Sequence, residues 1–139
     1  MENKLNYTRI ILGGLAGGVI MLVIGMVIHG FILEKHYAFQ MGKGCLLDEP
    51  RFGGVIHHIV VLLSGIVLAG LYAMSRKQCG AGPKTALCVG FLVGCMSLPG
   101  MAAMLSFYDQ GFRIPIMTGV DSMLECMAGT LVAGWLYKE

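Results

Sequence analysis

The stretch Ile10–Leu33, IILGGLAGGVIMLVIGMVIHGFIL, carries no Asp, Glu, Lys or Arg. At the helical rise of 1.5 Å per residue it reaches about 36 Å, more than the roughly 30 Å of a bilayer's hydrocarbon core. Three further runs have comparable reach: Val55–Met74, Thr85–Tyr108 and Ile114–Tyr137. Only the last contains acids, Asp121 and Glu125. None shows the strict apolar and polar alternation of a barrel strand, and an isolated strand cannot satisfy its backbone in lipid. The sequence therefore predicts an all-α fold, a four-helix transmembrane bundle forming one integral membrane domain over residues 1–139.

Composition points the same way. Hydrophobic residues make up 56% of the chain and charged residues 13%, with a mean hydropathy of +0.75, well away from the balance of a water-soluble domain. The lipid bilayer is the expected partner. A formal net charge of +2 without a basic tract gives no footprint for nucleic acid. Lys4 and Arg9 ahead of an apolar run resemble the start of a signal peptide. The run is about twice the length of a signal core, however, and reads as a retained first span.

Lys and Arg in short connections stay on the cytoplasmic side. Lys4, Arg9, Arg76, Lys77, Lys84 and Lys138 would share one side, against Lys35, Lys43, Arg51 and Arg113 on the other. The latter are offset by Glu34, Asp48, Glu49 and Asp109. This bias predicts cytoplasmic termini and an external Cys45. Gly80-Ala81-Gly82-Pro83 reads as a tight helical hairpin, with glycines ending span two and Pro83 opening span three. The longer connection from Glu34 to Gly54 holds a short amphipathic piece, His36 to Met41. Trp135, Tyr137 and Tyr72 are expected at the cytoplasmic interface, with Tyr108 and Phe112 at the outer one.

Gly13, Gly14, Gly17, Gly18 and Gly25 put small residues at four-residue spacing along span one, and Gly90 with Gly94 repeats the pattern in span three. Such faces let backbones approach closely, a main source of helix association in lipid. They suit either packing inside one bundle or a homo-oligomer face on span one. Pro99-Gly100 inside span three predicts a kink.

Chemistry concentrates in few residues. An acid within a span costs about 2.5–3.5 kcal/mol on insertion scales unless it faces protein or water. Asp121 and Glu125, four apart, share a helix face, about 10 Å and 16 Å along the span from Ile114. Such acids are either protonated carboxyls bonded to a neighbouring helix or part of a proton, ion or metal site. Topology brings His29, at the end of span one, and His57 and His58, at the start of span two, towards the same outer half. His29, His57, His58, Asp121 and Glu125 are therefore the candidate ligand set, suited to a divalent metal or a bis-histidine haem. Interfacial histidines bonded to water or headgroups are the plainer alternative. Cys88, Cys95 and Cys126 with Met96, Met101, Met104, Met123 and Met127 offer soft ligands, but without a paired-cysteine motif they read first as packing. No nucleophile and base stand at an interpretable spacing, so hydrolysis is disfavoured.

Leu71-Tyr72-Ala73-Met74, the turn Gly80-Ala81-Gly82-Pro83-Lys84-Thr85-Ala86 and the ending Ala133-Gly134-Trp135-Leu136-Tyr137-Lys138-Glu139 are similar to a group of small uncharacterised bacterial four-span inner-membrane proteins. The opening Arg9-Ile10 with its glycine-rich run, and Glu125 ahead of Ala128-Gly129, also look alike. Members tend to carry polar residues in span one where this chain has Met21 and His29. The resemblance implies a bacterial inner membrane and supplies no activity or catalytic residue. Two function classes follow: a non-enzymatic packing or accessory protein, and a transport or cofactor protein using the outer polar layer.

Overall fold

The computed structural model describes residues 5–44, 51–107 and 111–137. Lys4, Cys45, Asp48, Glu49, Tyr108, Asp109 and Lys138, used above for orientation and interfaces, lie outside the described residues. Helix α1 covers Tyr7–Val27 and runs into a π-turn at Ile28–Ile32, followed by α2 at Glu34–Gly42. A 3-10 turn at Arg51–Gly54 leads into α3 at Val55–Cys79. Helix α4 is Pro83–Gly94, a 3-10 turn occupies Cys95–Ser97, and α5 is Leu98–Phe107. Helix α6, Arg113–Leu136, closes the chain, and no strand occurs among the described residues. Taken as Tyr7–Ile32, Val55–Cys79, Pro83–Phe107 and Arg113–Leu136, four helical segments are long and apolar enough to cross a membrane.

The helices start and stop where local chemistry dictates, a few residues from where charge alone placed the spans. Asn6 caps α1 by accepting from the Arg9 N–H at 3.1 Å, so the helix begins before Ile10. Helix α3 runs past Met74 to Cys79 because Arg76 and Lys77 in its last turn complement the exposed carbonyl end and can extend towards water. Gly80 and Gly82 adopt φ of +83° and +143°, values that suit glycine, and Pro83 opens α4. The Thr85 hydroxyl then donates to the Gly80 carbonyl at 2.8 Å, tying the hairpin.

Small residues face inward and large apolar ones outward, the arrangement expected when the solvent is hydrocarbon. In α1, Gly13, Gly14, Gly17 and Gly18 are buried, whereas Leu12, Val19 and Val23 are exposed. Helix α1 packs chiefly on α3 and α6, and α4 packs on α6. A Cβ on Gly17 would sit 2.5 Å from the Gly129 carbonyl oxygen of α6, and one on Gly18 would sit 2.9 Å from Leu62 Cα of α3. Gly14 bears on Gly65 and Ile66. The glycine face of span one is thus covered by α3 and α6 of the same chain. Gly90 and Gly94 seat α4 on Cys126, Met127 and Met123 of α6 in the same way.

Two expectations shift. The distortion of span three sits at Cys95–Ser97, one turn before Pro99. A proline's ring crowds, and its missing N–H releases, the carbonyl four residues earlier, which here is that of Cys95. Tyr72 and Tyr137 are core residues, each 3% exposed, and only Trp135 of that trio faces outward. Their rings meet edge to face at 6.4 Å. Their hydroxyls accept from the backbone N–H groups of Gly82 and Asn6, so neither phenol needs water.

Candidate functional site

The polar layer forms at the end of the bundle opposite the Gly80–Gly82 turn, and the π-turn assembles it. The Leu33 N–H reaches back five residues to the Ile28 carbonyl at 2.9 Å, inserting one extra residue into the last turn of span one. Leu33 is fully buried, and α2 follows directly from it. Tyr37 of α2 is thereby brought beside His29, whose ring is 5.8 Å away centroid to centroid.

A continuous hydrogen-bonded chain results. The phenol of Tyr37 and Nδ1 of His29 are 2.7 Å apart, and Nε2 of His29 lies 2.8 Å from Oδ2 of Asp121. With Nε2–H donating to the carboxylate, a neutral imidazole keeps Nδ1 as acceptor for the Tyr37 hydroxyl. Burial pushes the Tyr37 phenol above its ordinary value, so it remains a neutral donor at physiological pH. Thr118, one turn before Asp121 on α6, stands beside the same phenol and donates its hydroxyl to the Ile114 carbonyl at 2.9 Å. Asp121 is 3% exposed, and its second oxygen, Oδ1, is buried without a hydrogen bond.

Beside this chain a cleft of about 560 Å³ is lined by Leu22, Gly25, Met26, His29, Gly30, Tyr37, His57, His58 and Glu125. Glu125 lies one turn deeper than Asp121 along α6. Its carboxyl rests on α1: a Cβ on Gly25 would come 2.5 Å from Oε1, so a side chain there would make the carboxyl shift. No hydrogen bond ties the Glu125 carboxyl to a described residue. Among the described residues no Lys or Arg lines the cleft.

Of the residues singled out in the sequence, His29 and Asp121 are directly bonded, and Glu125 lines the cleft beside His29. His57 and His58 sit on its wall in the first turns of α3, where His58 Nδ1 is 2.8 Å from the Gly54 carbonyl and the two rings meet edge on at 5.8 Å. Among the described residues no three His, Cys, Asp or Glu side chains converge to hold a metal ion. The cysteines are likewise dispersed: Cys79 and Cys88 are exposed, Cys95 and Cys126 half-buried, all as free thiols.

Sequence reading missed Tyr37, Thr118 and the particular role of Gly25. Tyr37 stood in a connection read as lying on the outer surface, and no local signal announces a π-turn. Gly25 was legible as one of a run of small residues, but the carboxyl that needs it comes from another helix. Comparison with family models, with curated proteins and with solved structures gave no match for this chain.

Proposed function

We propose that this chain is a small bacterial inner-membrane protein that binds a ligand in the cleft between α1, α3 and α6, a role of the transport or binding class. The observation that carries this reading is the chain Tyr37–His29–Asp121 beside an accessible cleft into which Glu125 also opens. Ionisable side chains at membrane depth are expensive and mark ligand, ion or proton sites. A cleft of this volume lies within the range of small-molecule sites. The packing or accessory reading is supported by the glycine seams, yet a purely structural bundle has no use for an acid lining an open cavity.

The test is water access at matched depth. Leu22 lines the cleft, while its neighbour Val23 is 45% exposed on the outer face of α1. In a background without native cysteines, the thiol of Leu22→Cys reacts readily with a water-soluble methanethiosulfonate, and that of Val23→Cys, facing lipid, does not. Equal reactivity, or none at either position, would defeat the binding-cleft reading.

We further propose that the termini and the Gly80–Gly82 turn are cytoplasmic and that the cleft opens outward, on the Lys and Arg bias. A membrane-impermeant maleimide applied to spheroplasts then labels Cys45 and spares Cys79. The opposite pattern would invert the topology.

A further inference from the structure

The composition of the cleft selects a class of ligand. Its walls at Leu22 and Met26 are apolar, and Tyr37 adds an aromatic surface. One carboxyl group, Glu125, lines it, and a second, Asp121, is buried behind His29, to which it is bonded. Asp121 Oδ1 is buried and without a hydrogen bond, and Glu125 has no hydrogen bond from any described residue. Among the described residues no Lys or Arg lines the cavity to neutralise them. With both carboxyls ionised, acceptors and negative charge among these groups exceed donors and positive charge, whether His29 is protonated or neutral.

An anionic ligand would meet uncompensated carboxylates in a weakly screened site. A neutral one would leave an ionised Glu125 unpaired. A bare divalent metal needs several converging ligands, and the described residues offer no such group of three. A cation that carries its own apolar body matches both the charge and the walls, and Tyr37 can add a cation–π contact.

Resting on the reading of this cleft as a binding site, we propose that its ligand is a monovalent lipophilic organic cation, held with its charge against Glu125 and its apolar body against Leu22 and Met26. Glu125 is then the counter-ion, and Gly25 is the position that leaves room for it on α1. The cavity of about 560 Å³ accommodates one drug-sized molecule.

The test uses two probes of matched shape and opposite charge, tetraphenylphosphonium and tetraphenylborate. Each is titrated calorimetrically into the full chain in uncharged maltoside micelles, with empty micelles as reference. Tetraphenylphosphonium binds saturably at one site per chain, tetraphenylborate does not, and Glu125→Gln weakens the cation by about tenfold or more. Trp135→Ala, at the aromatic cleft of the opposite end, leaves the cation's affinity unchanged. Because Glu125→Gln keeps shape and size, unchanged helical circular dichroism and elution volume separate loss of binding from loss of fold. Three outcomes overturn the proposal: binding of the borate in preference, cation binding indifferent to Glu125→Gln, and no saturable binding of either probe. The first of these leaves the binding cleft standing and removes only the cation. A failure of water access at Leu22→Cys removes the cleft itself.

Discussion

Gly65→Ala will unfold this protein more readily, although glycine to alanine inside a helix ordinarily stabilises by about 0.5–1 kcal/mol. The sign is set by what a methyl group meets. At Gly65 of α3 the added Cβ would lie 2.6 Å from the Gly18 amide nitrogen and 2.8 Å from Gly18 Cα, and closer still to the Gly14 carbonyl oxygen. All of these are backbone atoms of α1, which cannot rotate away as a side chain could. The two helices must separate along the seam formed by Gly14, Gly18 and Gly65, losing the dispersion contacts that hold helices together in lipid. Overpacking of this kind costs about 1–3 kcal/mol, occasionally more. Gly70, on the same helix, supplies the control: its added Cβ would find only Ile10 Cγ2, at 4.0 Å. Gly70→Ala is therefore neutral or slightly stabilising. Thermal melts in a mild detergent, followed by circular dichroism, should rank Gly65→Ala well below the parent and Gly70→Ala level with it. Equal melting of the two variants would mean that the α1–α3 seam is not close-packed.

The second large effect concerns the His29–Asp121 pair, in which the two partners are not equivalent. His29 keeps 34% of its side chain exposed, whereas Asp121 keeps 4%. Removing the histidine strands a buried carboxylate with neither oxygen bonded, and a lone buried charge is the costlier half of a broken pair. His29→Ala should cost about 3 kcal/mol on that ground. Asp121→Asn keeps one acceptor for Nε2 and should cost about 1 kcal/mol. Asp121→Ala leaves a half-exposed imidazole that water can reach. The diagnostic variant is the double one: His29→Ala with Asp121→Ala should be more stable than His29→Ala alone, because the stranded acid is gone. Denaturant titration of the four proteins measures this directly. Additive losses would show that the pair contributes nothing as a pair.

The span architecture was legible in residue types because it depends on them alone. A bilayer imposes a length and forbids unsatisfied backbone, so four long runs poor in charge admit few solutions. The hairpin at Gly80–Pro83 was legible for a similar local reason: positive φ at two glycines and proline's tolerance at a first helical turn are properties of those residues. The exact helix ends were less so. Charge at Arg76 and Lys77 read as the end of a span, whereas a helix can continue beyond the hydrocarbon and keep its basic residues in water.

Asp121 and Glu125 stood out because an acid inside a run such as Ile114–Tyr137 has a cost that something must offset. Their four-residue spacing placed them on one face of α6, and the order of the spans brought His29 to the same end. What offsets that cost is a matter of tertiary structure. The bond from His29 to Asp121 spans 92 positions in the chain. It forms at the π-turn of Ile28–Ile32, where His29 meets Asp121 on one side and Tyr37 of α2 on the other. Likewise, spacing marked Gly13, Gly14, Gly17, Gly18 and Gly25 as a small face, but could not say which partner covers it. Only docking against α3 and α6 assigned four of these glycines to close helix contact and left Gly25 as the seat of a carboxyl group. Helix formation is governed by contacts a few residues apart, while a site built from side chains on α1, α2, α3 and α6 depends on how those helices cross.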